Sequence, residues 1–278
     1  MINTTIFILC AGEAARWNNH LDVPKQLIPI GGEPLLERTV RLLHAKNIFD
    51  INIIAHDELL KIKTCNFIRP SKYQWIAETL LSTQSLWNEN TIILLGDVFY
   101  TKEAINTIVR TKKNIHVYGR YGANKYIRNS WGEIFSLSFE RGHWNEIITN
   151  ATKVIRHAKS GGRGKLWELY RSLACFSLDE HLIEKKIFIS IHDLTDDFDY
   201  PSDYDNNVKR YEYLTSTDKY KKIWICIFFK YSEFRELIYN LRRTLIRCID
   251  LIEPLGMFLR KNKALLRRII IESKSIIH

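Results

Sequence analysis

Apolar positions along the first half of the chain fall into two alternating periods. Residues 5–10, 51–55 and 91–95 are short continuous apolar runs rich in β-branched residues, which predicts strands buried on both faces. Between them the spacing lengthens to three and four. Pro34 opens a helix whose apolar face takes in Leu35, Leu36, Val40 and Leu43, and residues 76–87 predict another, with Leu80, Leu81 and Leu86 as its core. Strand and helix in alternation predict the α/β class, a Rossmann-like doubly wound mixed sheet.

After about Asn207 this pattern stops and helical periodicity takes over, at residues 232–252 and again from Met257 to about Ile276, with a break at Pro254-Leu255-Gly256. Two regions are therefore expected: an α/β domain at 1–210 and a basic helical extension at 211–278. Residues 231–278 hold ten Lys and Arg against five Asp and Glu, so this tail carries +5 of the chain's net +10. Leu241, Leu245 and Ile249 form an apolar stripe with Arg242, Arg243 and Arg247 beside it. Such helices pack as an ordinary subdomain, self-associate into a homo-oligomer, or lie on an anionic membrane surface. The apolar run 224–229 is far short of the roughly 20 residues that cross a bilayer. The charge comes with no recognised reader motif, so no nucleic-acid partner is expected.

At 278 residues, 46% apolar and 26% charged, the chain has enough apolar content for a full core. Its five cysteines are odd in number and have no framework spacing, which fits a reducing cytoplasmic compartment. No basic segment precedes the first apolar strand, so that strand is not read as a signal peptide.

The candidate chemistry lies at the ends of the expected strands. The first runs into small residues, Ala11-Gly12-Glu13-Ala14-Ala15, followed by Arg16 and, after Pro24, Lys25. Such a loop lets backbone N–H groups approach an anion, and the two cations beyond it can neutralise phosphate. The run 91–95 ends at Gly96-Asp97, which puts a carboxylate at the carboxyl end of a strand. An acidic segment follows much later, Asp196-Asp197-Phe198-Asp199-Tyr200-Pro201-Ser202-Asp203-Tyr204. It does not scan as a calcium loop, since no glycine stands sixth and no glutamate twelfth from Asp197 or Asp199. The sequence has no GxxxxGK[ST], no three-glycine dinucleotide fingerprint, no HExxH and no CxxC, which removes the ordinary ATPase, dehydrogenase and zinc-enzyme readings. His44, His56 and His116 read as structural or surface residues.

Taken in order, LCAGEAAR followed by PKQLIPIGGEPLLERTV resembles the AGxGxR and PKxLxPIxGxPLL signature of the nucleotidyltransferase superfamily, the sugar-phosphate and MobA-like NTP transferases. Ala14 stands where that signature has its second glycine, and Ser202 replaces the glutamate of its DxDxPEDY segment. The resemblance implies a nucleotide-diphospho-sugar transferase type of sheet and a nucleotidyltransferase dependent on Mg2+, its partners a nucleoside triphosphate and a phosphorylated sugar, polyol or aminoalcohol of surface-glycan biosynthesis. By the same resemblance Asp97 and Asp199 are the metal ligands, with Asp197 as fallback to Asp199. Ala11, Gly12, Glu13, Arg16 and Lys25 hold the triphosphate, Arg16 and Lys25 are catalytic, and Thr79 or Ser82 touches the base. The region between the aspartates chooses the acceptor, and Lys153 or Lys165 assists the phosphate. Ser160-Gly161-Gly162-Arg163-Gly164-Lys165 reads equally as a flexible loop closing over a phosphate or a connection between helices. A metal-dependent glycosyltransferase is the alternative enzyme, although Gly96-Asp97-Val98 is not the DxD it normally places there. A non-catalytic nucleotide-sugar-binding homologue is the alternative of another class.

Overall fold

A computed structural model of the chain describes residues 4–12, 15–110, 114–122, 132–180, 182–184 and 186–215. The chain divides into two compact units, Met1–Glu212 and Tyr213–His278. The tail helices expected beyond residue 231 lie outside the described residues.

The first unit is built on a seven-stranded mixed sheet. Its strands are β1 (Thr4–Leu9), β4 (Ile51–Ile54), β5 (Asn66–Ile68), β6 (Asn90–Leu95), β8 (His116–Arg120), β9 (Glu133–Glu140) and β10 (Phe188–Ser190), in the order β10-β8-β9-β6-β1-β4-β5. β1 pairs in parallel with both β4 and β6, while β9 runs antiparallel between β6 and β8. The expected runs at 5–10, 51–55 and 91–95 are thus three adjacent central strands, and burial on both faces explains why their sequences do not alternate.

Helices cover both faces, as the doubly wound reading requires. α1 (Leu35–His44) and α3 (Lys102–Arg110) pack with Ile6, Ile8, Ile53, Ile92 and Leu94 in one core. α2 (Ile76–Ser82), α4 (Trp144–Lys159) and α5 (Leu166–Leu173) pack with Phe7, Ile54, Ile93 and Leu137 in the other. β9 reads as alternating in sequence, yet Ser136 and Ser138 are buried between the helices and the sheet like the apolar residues beside them.

One expectation needs correction. The helix expected over residues 76–87 stops at Ser82, because Thr83 is fully buried and its hydroxyl donates to Leu80 O while accepting from Trp87 Nε1. A short 3-10 turn over Gln84–Leu86 then shifts the phase. Trp87 packs inward, and Leu86, expected in the core, is exposed.

Two small ladders sit on the carboxyl edge of the sheet. β2 (Pro29–Ile30) and β3 (Glu33–Pro34) form a hairpin through Gly31-Gly32, both at positive φ (62° and 82°), as a two-residue primed turn demands. β7 (Val98–Phe99) pairs antiparallel with β11 (Asp196–Asp197), and the chain then enters α6 (Pro201–Thr215). A third apolar cluster, with Trp17, Ile28, Ile30, Leu35, Phe99, Phe198, Tyr204 and Tyr211, joins the segment after β1 to β7 and α6.

Candidate active site

The two acidic segments, about a hundred residues apart in sequence, meet through the β7–β11 ladder. Asp196 stands opposite Phe99, Asp197 opposite Val98, and the Phe198 N–H donates to Asp97 O at 3.1 Å. Asp97 leaves β6 through Gly96, where a Cβ would lie 2.2 Å from Cys10 Sγ and 3.1 Å from Leu9 O, so a larger residue would have to displace the Cys10 side chain. Just below, the Tyr100 hydroxyl donates to Phe135 O (2.6 Å) and accepts from Leu95 N (3.0 Å). It bridges Leu95 of β6 and Phe135 of β9 where the ladder between the two strands ends.

The four charged residues singled out in the sequence are brought together here, as two ion pairs. Lys25 Nζ pairs with the Asp97 carboxylate and reaches Phe198 O at 3.4 Å. Arg16 meets Asp199 with both terminal nitrogens, at 2.6 and 2.9 Å, and its guanidinium lies 5.2 Å from the centre of the Tyr200 ring. Burial lowers the affinity of Lys25 for its proton, but Asp97, Asp199 and Asp197 together outweigh it and raise the pKa above the usual lysine value. All three carboxylates therefore act on one ammonium.

Further charges surround this core. Arg120, almost fully buried, donates to Asp196 Oδ1 at 2.9 Å. Glu133, opposite Arg120 in the β8–β9 register, has its carboxyl pushed up to about 7 by burial, then by Asp199 and Asp196, against the pull of Arg120 and Lys165. Burial and the neighbouring Glu133 and Asp97 hold Asp197 well above the usual carboxylate range. Arg120 and Glu133 lie in the region between the two aspartates, where the acceptor is expected to be chosen, and neither is marked by the sequence as a site residue. Cross-strand register sets them side by side, and Arg120 joins the acidic segment through Asp196.

The remaining expectations divide. Ala11 is buried and Gly12 exposed at the end of β1, while Glu13 and Ala14 lie outside the described residues. Ser82, expected near the base, is in the last turn of α2, and its hydroxyl donates to Thr79 O at 2.7 Å. Of the two lysines left open, Lys165 is the one whose charge reaches Glu133, and Lys153 is on the exposed face of α4. The 160–165 segment is a pinned connection between α4 and α5. Glu168 accepts from Arg163 N and Lys165 N, and Gly164 O accepts from Ala77 N at the start of α2.

Hard carboxylate oxygens are the donors a magnesium ion takes, and two of them with triphosphate oxygens and water fill its shell. Asp97 and Asp199 fit that requirement. No group of three or more His, Cys, Asp or Glu suited to holding a metal by itself occurs among the described residues.

Comparison with known proteins fits this geometry. Residues 6–125 match the model of the MobA-like NTP transferase domain, a stretch that takes in Arg16, Lys25 and Asp97. The chain has the fold of a CTP:phosphocholine cytidylyltransferase from Streptococcus pneumoniae (TM-score 0.52, 17% identity, 75% of this chain and 99% of that one). It is similarly related to an inositol-1-phosphate CTP transferase from T. maritima (0.54, 11%, 76% and 96%) and a candidate glucose-1-phosphate thymidylyltransferase from Bacillus anthracis (0.52, 14%, 78% and 97%). No curated protein matches the chain in sequence. The family match thus takes in residues 6–125, under half of the chain, and the solved structures share its fold. No helix among the described residues is long and apolar enough to cross a membrane.

Proposed function

We propose that this protein transfers a nucleoside monophosphate from a nucleoside triphosphate to a phosphorylated small-molecule acceptor, releasing pyrophosphate. The observation that carries the reading is the meeting of Arg16, Lys25, Asp97 and Asp199 at one edge of the sheet. Open α/β sheets bind ligands at that edge. The names of the structural relatives, which include phosphocholine, inositol-1-phosphate and glucose-1-phosphate, support the acceptor class.

An oxygen of the acceptor phosphate attacks the α-phosphorus, and the bond from that phosphorus to the β-phosphate bridging oxygen breaks. The electron pair leaves with pyrophosphate. The acceptor phosphate is already ionised at neutral pH, so no side-chain nucleophile is needed, and the work is to bring anions together in line. Lys25 and Arg16 take the triphosphate oxygens, with the amides of the Ala11–Gly12 turn beside them. Both cations pair with carboxylates, so triphosphate binding exchanges partners: each cation turns to phosphate, and Asp97 and Asp199 are freed together. Those two carboxylates would hold Mg2+, which supplies charge neutralisation to the leaving pyrophosphate. Of Lys153 and Lys165, Lys165 is the candidate to meet the acceptor phosphate, since its charge acts on Glu133 beside the acidic segment.

The test is to incubate the protein with each of the four common triphosphates and a panel of phosphorylated sugars, polyols and aminoalcohols, and to measure pyrophosphate. Release that requires one triphosphate and one acceptor class supports the reading. Transfer of sugar from a preformed nucleotide sugar, without pyrophosphate, would replace it with a glycosyltransferase.

A further inference from the structure

The strap that carries Asp199 to the site is fastened at a point the catalytic scheme does not use. After β10 the chain recrosses the carboxyl edge, with Ile191 N bonded to Gly119 O at 2.7 Å, and reaches β11 by way of Asp193-Leu194-Thr195. There it meets Thr101, the residue that caps α3 by accepting from Ala104 N at 2.9 Å. The Thr101 N–H donates to Thr195 Oγ1 at 3.1 Å, and the Thr101 hydroxyl donates to Asp193 Oδ2 at 2.5 Å. Asp193 Oδ1 in turn accepts from Thr195 N at 2.8 Å, closing the turn on itself. Thr101 and Thr195 are both buried, so the bond between them is shielded from water and expensive to leave unmade, while the two bonds to Asp193 are part-buried.

The position of this network matters more than its strength. Thr101 stands four residues after Asp97, and Thr195 four residues before Asp199. Between the network and the two carboxylates lies only the β7–β11 ladder, closed at its far end by the Phe198 N–H to Asp97 O bond. A two-residue ladder sets register weakly by itself. The buried threonine pair supplies the missing constraint, because a slip of one residue would break both of its hydrogen bonds with the strap.

We propose that Thr195 and Asp193 are positioning residues, a latch that holds Asp199 in register with Asp97. The proposal rests on the reading of Asp199 as part of the active site. Neither latch residue touches substrate.

The experiment is a double-mutant cycle on the full chain, run well below each variant's melting temperature. Thr195→Val keeps the shape and removes the acceptor for Thr101 N, and it should lower kcat about ten- to a hundredfold. Thr195→Ser, which retains the hydroxyl, should restore kcat to within about twofold. In an Asp199→Asn background the same Thr195→Val change should cost less than about twofold more, because residues acting as one unit are non-additive. Should Thr195→Val not fold, Asp193→Asn reads the same cycle. Losses that multiply across the two backgrounds, or a Thr195→Val enzyme with normal kcat and only a lower melting temperature, overturn the latch alone. Full activity in Asp199→Asn would remove Asp199 from the site, and the latch with it.

Discussion

Lys25 and Asp97 form an ion pair at the carboxyl edge of the sheet, with their side chains only 12% and 21% exposed. Opposite charges in that setting are screened little by salt, and each is costly to leave alone. Lys25→Ala should therefore weaken triphosphate binding about ten- to a hundredfold, the worth of one hydrogen-bonded charge contact. Arg16→Ala, at the more exposed pair, should act in the same direction with a smaller effect. Equilibrium binding of a triphosphate by calorimetry reads both, and unchanged affinity in both variants would remove the phosphate grip from the account.

Asp97→Asn and Asp199→Asn keep shape and remove one charge each. Each should reduce turnover by orders of magnitude, and the double change should cost little more than either alone. Steady-state pyrophosphate release at saturating substrates measures this. Independent, multiplying losses would mean that the two carboxylates serve separate tasks.

The glycine before Asp97 makes a prediction about packing. A methyl at Gly96 would meet Cys10 Sγ at 2.2 Å, so Gly96→Ala should destabilise the fold by about 1–3 kcal/mol, as overpacking of a filled core does. Cys10→Ala should recover part of that loss when combined with it, since it removes the atom in the way. Urea unfolding of the two single variants and the double variant shows whether their effects are coupled.

How much of this was legible beforehand depended on the kind of signal. The three central strands were readable because burial on both faces forces continuous apolar runs, and the motif residues Arg16, Lys25, Asp97 and Asp199 stood at the ends of such runs or in an ordered pattern. Leu86 misled because a single buried Thr83 ended α2 and shifted the phase, a tertiary event that helical periodicity does not encode. Arg120 and Glu133 were hidden because they act through cross-strand register, and the latch at Thr101, Asp193 and Thr195 because small polar residues in loops ordinarily mark only turns. Glu168 was silent for a similar reason: its carboxylate pins the glycine-rich connection, which composition alone leaves open between a flexible loop and a link between helices.

Glu133 gives a pH dependence with a definite sign. Its carboxyl rises from an ordinary 4.5 to about 7 on folding, chiefly through burial, so the folded protein holds this proton more tightly than the unfolded chain. The stability it contributes is present in full below pH 4.5 and is lost as the pH climbs through 7, by on the order of 1–3 kcal/mol. Metal-free protein should thus resist urea better at pH 5 than at pH 8, and Glu133→Gln should reduce that difference, leaving the part that Asp197 and Asp196 contribute. An unchanged pH profile in the variant would place the titration elsewhere.

On the proposed reading, four charged residues from distant parts of the chain form one nucleotidyltransfer site. Pyrophosphate release from a nucleoside triphosphate, measured with and without phosphorylated acceptor and with and without chelator, tests it most directly. Release should require acceptor and divalent metal together and fall by orders of magnitude in Asp97→Asn. Release that is undiminished in chelator, or that survives intact in Asp97→Asn, would contradict it.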